Sequence, residues 1–95
     1  MRKSTHTVEY ERLKGHLVSL RVNAGLSQRA LAERLRVPHS WVAKIESGER
    51  RVDLIEFLWI CDAVAVDPCD MLASFLGSVS PVRASQFATR RRGAR

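Results

Sequence analysis

The stretch of sequence that decides the fold is LSQRALAERLRVPHSWVAKIESG, residues 26–48. Ser27 predicts an N-cap, because its hydroxyl can accept a hydrogen bond from a backbone N–H of the first helical turn. Good helix formers then follow from residue 28 to about residue 35. Pro38 interrupts the pattern, since proline disfavours the helical conformation in the residue before it. A second short helix is predicted over residues 39–46, so the stretch reads as two helices joined by a tight turn.

The apolar residues of this stretch have the spacing that would hold the two helices at a fixed angle. Ala32 provides the small side chain that steeply crossing helices need at their contact. The other residues predicted to face inward are Leu31, Leu35, Val37, Val42 and Ile45. The outer face of the second helix is polar and offers His39, Ser40, Ala43, Lys44 and Ser47. A helix pair with such a protruding face is the plan of a helix-turn-helix.

Three further helices are predicted from capping residues and apolar spacing. The first covers residues 8–23 behind the N-cap Thr7, with Val8 among its inward positions. The fourth follows the cap Asp53 to about residue 64, and the fifth follows Asp67 and ends near residue 77. The predicted fold is therefore all-α, with five helices around one core.

The chain divides into a domain, residues 8–77, and two polar ends. Residues 1–7 and 78–95 are predicted to be flexible, because they contain few large apolar side chains. The last segment is rich in arginine, and its Arg90-Arg91-Arg92 run is either a solvated tail or a non-specific DNA arm.

The net charge of +6 is distributed unevenly. Residues 8–51 carry nine Lys or Arg and five Asp or Glu, whereas residues 52–77 carry five acids and no Lys or Arg. The final eighteen residues, 78–95, carry five Arg and no acid. A basic half beside an acidic half indicates one surface turned toward a polyanion and one turned away.

Several other classes of protein are disfavoured. Cys61 and Cys69 do not form a Cys-x-x-Cys pair and read as core thiols in a reducing compartment. No apolar run approaches the roughly 18 residues of a membrane span, and the basic N-terminus leads into charged residues rather than a signal peptide. No metal-ligand set, cofactor motif or catalytic constellation is apparent. We therefore expect a non-enzymatic cytoplasmic protein associated with the nucleoid.

Residues 26–35 and 40–48 resemble the phage repressor and Cro-like family of regulators, in particular its xenobiotic-response-element group. The Ser-Gln opening and the Lys-Ile-Glu-Ser-Gly closing carry the resemblance, which covers roughly residues 10–76. The resemblance implies a five-helix, lambda-repressor-like domain that binds double-stranded DNA sequence-specifically.

The resemblance also implies roles for individual residues. Gln28 would hold a phosphate at the start of the second helix, helped by exposed backbone N–H groups. Arg29, which the resemblance does not assign, is either a solvated side chain or a further phosphate contact. His39, Ser40 and Lys44 would face base edges, and the Lys44 cation can reach guanine O6 and N7. The remaining residues expected to meet DNA are Ser47, Arg50 and Arg51. Two residues outside this set, Arg21 and Glu46, match a pair that forms a salt bridge in some relatives.

Trp41 has two interpretations, since it either packs on sugar–phosphate or a thymine methyl, or belongs to the core. Three positions depart from the family's pattern. Arg36 stands where the turn usually has glycine, so either the turn differs or it tolerates about 1 kcal/mol of strain. Pro38 replaces the Ser or Thr that usually caps the third helix, and Ala65 replaces a common glycine before the last helix.

The fourth helix is apolar almost all round, with Leu54, Ile55, Phe57, Leu58, Trp59 and Ile60. A five-helix domain of this size cannot cover every side of it, so we predict a homodimer. Its interface would involve the fourth or fifth helix with Phe75 and Leu76, and Trp59 is predicted in the core or the interface. Two recognition helices would then lie about 34 Å apart.

The sequence thus predicts a transcriptional repressor that acts as a homodimer on a palindromic operator. Two alternatives stay open. One is an antitoxin, in which the same DNA-binding domain also holds a partner toxin. The other is a protein-interaction module without DNA binding, against which the polar and cationic outer face of the third helix argues.

Overall fold

The computed structural model describes residues 7–78, and this part of the chain contains five α-helices and no strand. The helices are α1 (Val8–Asn23), α2 (Gln28–Leu35), α3 (His39–Ser47), α4 (Leu54–Ala63) and α5 (Pro68–Ser78). The all-α fold of five helices is therefore confirmed, with ends of α3, α4 and α5 displaced by one residue from those predicted. The expected flexibility of the two chain ends concerns residues 1–6 and 79–95, which lie outside the described residues.

Side-chain caps fix the starts of four helices. Thr7, Ser27 and Asp53 each accept a hydrogen bond from the backbone N–H three residues later, at 2.8 to 3.1 Å. Asp67 accepts one from the N–H two residues later, at 2.7 Å. Pro38, before α3, makes no side-chain cap bond. The start of α3 is consequently the one that local capping supports least.

Two adjoining clusters of buried side chains form the core. One contains Leu17, Ile45, Phe57, Ile60, Cys61 and Met71. The other contains Leu31, Ala32, Val42 and Val64. Because α3 contributes Ile45 to the first cluster and Val42 to the second, its axis is fixed against both. The predicted inward positions Ala32, Val42 and Ile45 are confirmed, each at 2% exposure.

The turns keep the geometry that glycine usually provides, although two of them lack glycine. Arg36 ends α2 at φ 60°, and Ala65 follows α4 at φ 59°. Gly25 and Gly48 take the same left-handed region at φ 77° and 87°. The chain therefore accepts about 1 kcal/mol of strain at each non-glycine position rather than adopting a different turn.

Two expectations about burial are wrong, and one of the two interpretations of Trp59 is excluded. Cys69 was expected as a core thiol, but it is exposed in the first turn of α5, and only Cys61 is buried. Val8 was expected to face inward, but it is 68% exposed, because it is the first residue of α1 and precedes the part that packs on the core. The core interpretation of Trp59 also fails, since its side chain is 52% exposed. One side of α4 is buried. The other side is exposed and carries Trp59 together with Leu54, Ile55 and Leu58.

Candidate nucleic-acid interface

The α3 helix has two chemically distinct faces. Val42 and Ile45 are buried, whereas His39, Ser40, Lys44 and Ser47 are all exposed. These four polar residues recur at helical spacing and so share one stripe. Ala43, which was predicted on the same outer face, is half-buried. The structure thus brings the four polar side chains together on one solvent-facing surface.

An ion pair joins α1 to the last turn of α3. The Arg21 guanidinium donates to both oxygens of the Glu46 carboxylate, from Nε to Oε2 at 2.7 Å and from Nη2 to Oε1 at 3.1 Å. The two side chains are only 14% and 8% exposed. Arg21 also donates to the carbonyl of Leu26 at 2.9 Å. The structure contains the pair that the family resemblance implies, in the two-bond geometry that most restricts rotation.

Gln28 makes hydrogen bonds within the protein that its predicted phosphate role did not include. Its amide Nε2 donates to Glu46 Oε1 at 2.8 Å, and its Oε1 lies 3.3 Å from His39 Nε2. The half-buried Gln28 therefore links both ends of α3 to the first turn of α2. One of its two amide N–H donors is already used within the protein, so a phosphate at this place would rely more on the backbone N–H groups of α2.

Arg50 has a partner within the protein. Its guanidinium donates to both oxygens of Glu56, at 3.1 and 2.7 Å, and its Cζ lies 5.1 Å from the centre of the Trp41 ring. This bonding raises the pKa of Arg50, while the hydrogen bond from Arg50 lowers the pKa of Glu56 against the opposing effect of burial. The predicted phosphate contact of Arg50 would have to compete with this pair, whose arginine side is 39% exposed.

Trp41 combines the two interpretations that the sequence left open. It is half-buried and packs against both core clusters. Its ring also supports the Arg50 guanidinium, which is a cation–π contact. The Trp41 side chain therefore lies at the boundary between the core and the polar surface. A contact between Trp41 and DNA stays a prediction.

Lys14 is a residue that the sequence reasoning missed. Its Nζ pairs with Glu11 at 3.0 Å and lies 3.4 Å from the carbonyl oxygen of Ser47, at the C-terminal end of α3. A positive charge at the C-terminal end of a helix interacts favourably with the helix dipole. The left-handed Gly48 lies under it, and a Cβ built there would come 2.8 Å from Nζ. No sequence signal links Lys14 to α3, since 33 residues separate it from Ser47.

The two other predicted phosphate contacts lie on either side of the helix pair. Arg29 is exposed in the first turn of α2. Arg51 is exposed in the loop after α3, with its Cζ 4.7 Å from the centre of the Tyr10 ring. Tyr10 is itself fixed, because its hydroxyl accepts a hydrogen bond from Val52 N at 2.9 Å. Contact of Arg29 and Arg51 with DNA stays a prediction.

The described residues offer little for other site chemistry. Burial raises the pKa of the Cys61 thiol, which disfavours the reactive thiolate. Within residues 7–78, no three His, Cys, Asp or Glu side chains are grouped so that they could hold a metal ion. None of the five described helices is long and apolar enough to cross a membrane.

Comparison with known families identifies the class of the protein. The profile of the helix-turn-helix domain family matches residues 13–73, which is well over half of the chain. The chain belongs to this family of DNA-binding domains. No curated protein sequence matches the chain.

Solved structures place the chain within the family. A structure described as an XRE-family like protein from Pseudomonas syringae pv. tomato str. DC3000 is 37% identical, with a TM-score of 0.72 over 79% of this chain and 94% of that chain. Two structures of the clp gene regulator ClgR from Corynebacterium glutamicum are 28% and 26% identical, with TM-scores of 0.68 and 0.66. They cover 80% and 93% of this chain and 99% and 88% of their own. The chain is an XRE and Cro-like helix-turn-helix protein, a DNA-binding transcription regulator rather than an enzyme.

Proposed function

We propose that this protein is a transcriptional repressor that docks α3 in the major groove of an operator. The observation that carries the proposal is the division of α3 into a buried apolar face and an exposed polar stripe. Base edges in the major groove present hydrogen-bond donors and acceptors that such side chains can distinguish. In this stripe Lys44 carries the formal positive charge, and we assign it to guanine, with His39 and Ser40 as the neighbouring readers.

Three anchors support α3 as a rigid reading element. Val42 and Ile45 fix its inner face in the core. Glu46 ties its last turn to α1 through Arg21, and Lys14 contacts the same end. Rigid support of this kind favours specific readout, because side chains on a fixed helix lose less conformational entropy when they bind.

Phosphate contacts would set the register of the helix on DNA. Arg29 and the backbone N–H groups of α2 lie at the start of one helix, and Arg51 lies beyond the end of the next. These positions fit contacts that orient the protein without reading sequence. Repression then follows from occupancy, because a protein bound across a promoter excludes the polymerase.

The proposal includes a homodimer. Leu54, Ile55, Leu58 and Trp59 form an exposed apolar row on α4, and Leu72 of α5 is also exposed. An exposed apolar patch of this kind is typical of an interaction surface. A second copy with the same row would form a symmetric interface and present two α3 helices about 34 Å apart to a palindromic operator. The antitoxin alternative would place a different protein on this row.

Substitution of Lys44 tests the docking of α3. Lys44→Ala should weaken binding to the preferred site by about tenfold to a hundredfold and relax one operator position. Arg51→Ala should weaken binding to all DNA sequences alike. It should also reduce the slope of the logarithm of the binding constant against the logarithm of the salt concentration by about one. Arg12→Ala, at an exposed position of α1 outside the predicted contacts, is the control and should bind as the wild type does. Docking through α3 is wrong if Lys44→Ala and Arg51→Ala both leave binding to every DNA unchanged.

Selection of bound DNA from a random pool, followed by sedimentation of the complex, tests the homodimer. The expected result is a palindromic site with half-sites about one helical turn apart and two protein copies per site. Trp59→Glu should give a monomer that retains weak binding to one half-site. A stable monomer on an asymmetric site would contradict the homodimer. Displacement of the second copy by a different protein would favour the antitoxin alternative.

A further inference from the structure

A relay of hydrogen bonds connects the buried side of the helix pair to the exposed start of α3. It begins at Arg21, passes through Glu46 and Gln28, and ends at His39. The successive distances between the nitrogen and oxygen atoms are 2.7, 2.8 and 3.3 Å. The last residue is exposed and belongs to the polar stripe of α3. The inner residues therefore determine what the outer one can present to a ligand.

The direction of each hydrogen bond follows from the groups involved. Glu46 is paired with a guanidinium, and an ionised carboxylate can only accept hydrogen bonds. The side of the Gln28 amide that faces Glu46 must therefore be its NH₂ group, which leaves the carbonyl oxygen toward His39. A carbonyl oxygen also can only accept, so His39 Nε2 must carry the proton.

We infer that His39 is held as the Nε2–H tautomer, and that its Nδ1 reads an exocyclic amine in the major groove. A neutral imidazole with its proton on Nε2 offers Nδ1 as an acceptor. The donors available at base edges in that groove are adenine N6 and cytosine N4, whereas guanine and thymine present acceptors. His39 consequently selects adenine or cytosine on the strand that it faces. The inference rests on the proposed docking of α3.

A second histidine provides an internal reference. His16 Nδ1 lies 2.9 Å from the carbonyl oxygen of Arg12. Because that oxygen accepts, the proton of His16 must be on Nδ1. The protein thus holds His16 and His39 in opposite tautomers, and each is set by one carbonyl acceptor.

Nitrogen NMR at a pH where the imidazole rings are neutral tests the tautomers without DNA. The expected spectrum has a protonated Nε2 for His39 and a protonated Nδ1 for His16, with His39→Ala used for assignment. Gln28→Leu removes the acceptor and should move both His39 ring nitrogens toward the shifts of an unrestrained imidazole, while His16 stays unchanged. A protonated Nδ1 in His39, or His39 shifts that Gln28→Leu leaves unaltered, would overturn the inference.

DNA selection tests the readout. The wild type should prefer adenine or cytosine about fivefold at the position facing His39, the discrimination expected from one hydrogen bond. His39→Ala should flatten that position and leave the preference set by Lys44 in place. A wild-type preference for guanine or thymine there would overturn the readout. A protein that binds no DNA would overturn the proposed function and the readout with it, whereas the ring-nitrogen spectrum would still decide the tautomer.

Discussion

Helices α3 and α4 are nearly equal in length, 9 and 10 residues, but they expose opposite chemistry. α3 buries Val42 and Ile45 and exposes a polar stripe, and ion pairs and hydrogen bonds fix its ends. α4 buries Phe57, Ile60 and Cys61 but leaves an apolar row in solvent.

The difference between α3 and α4 shows which contacts fix the position of each helix. Within this chain α3 has both apolar and directional polar contacts, so its orientation is determined completely by the domain. α4 satisfies half of its apolar surface here, and burial of the other half needs a second surface. Under the proposed function, α3 must be rigid before it meets DNA, whereas the apolar row of α4 must stay uncovered until it meets its partner.

The sharpest test of this comparison makes the same chemical change in both helices. Ile45→Ala should lower the free energy of unfolding by about 3–4 kcal/mol, because it opens a cavity between α3 and the core. Ile55→Ala, its matched control, should change it by less than about 0.5 kcal/mol at a protein concentration where the chain is monomeric. Urea denaturation of both variants at low concentration measures the difference.

Two outcomes would contradict the comparison. A large loss for Ile55→Ala in the monomer would mean that the exposed row of α4 is covered within the chain. A small loss for Ile45→Ala would mean that α3 does not depend on its apolar anchor. Repetition at high concentration sharpens the test, because only Ile55→Ala should then reduce the concentration dependence of stability.

The next test compares the ion pairs that support the two helices. Glu46→Ala should destabilise the protein by about 2–3 kcal/mol, since it leaves Arg21 almost buried without its carboxylate. Glu56→Ala should cost about 1–2 kcal/mol, because the side chain of Arg50 can reach water but half of the α4 capping box is lost. Thermal unfolding at neutral pH measures both.

Equal losses for these two variants would show that exposure of the arginine does not set the cost. Arg50→Gln provides a further check, because it keeps the capping box and should cost less than Glu56→Ala. A larger loss for Arg50→Gln would assign most of the effect to the cation over Trp41 instead.

Much of the fold could be predicted from the sequence because its signals are local. The caps Thr7, Ser27 and Asp53 and the apolar spacing of the helix pair depend on neighbours a few residues away. Val8 misled the prediction, since helical spacing identifies a face but not how far along the helix the core extends.

The candidate site was less accessible to sequence reasoning. The polar stripe of α3 follows from helical spacing, so His39, Ser40 and Lys44 could be grouped in advance. The distant partners could not, because spacing gives no rule for the contact of Lys14 with α3 or of Gln28 with Glu46. Arg50 illustrates the same limit, since its charge suggested a phosphate contact although Glu56 was already available as a partner.

A smaller effect is expected at the left-handed residues that end the two helices of the motif. Gly48→Ala should destabilise by about 1 kcal/mol, because φ is 87° there and the new Cβ would displace the flexible end of Lys14. Arg36→Gly should relieve strain at φ 60° and stabilise by up to about 0.5 kcal/mol after the greater freedom of the unfolded glycine chain is deducted. Chemical denaturation compares the two, and a destabilising Arg36→Gly would show that the Arg36 side chain contributes more than its backbone costs.

The smallest predicted effect is the pH dependence contributed by Glu56. Its pKa in the folded protein is lowered from the ordinary value of 4.5, first by the hydrogen bond from Arg50. A lowered pKa stabilises the folded state above pH 4.5, and this contribution is lost as the pH falls through the folded value. The wild type should therefore exceed Glu56→Gln by on the order of 0.5–1 kcal/mol at neutral pH, and the two should converge in acid. Glu49→Gln, in the exposed loop after α3, is the matched control for the loss of one carboxylate. A constant difference between wild type and Glu56→Gln down to pH 2 would mean that Glu56 acts through packing and capping shape, and that its charge contributes nothing.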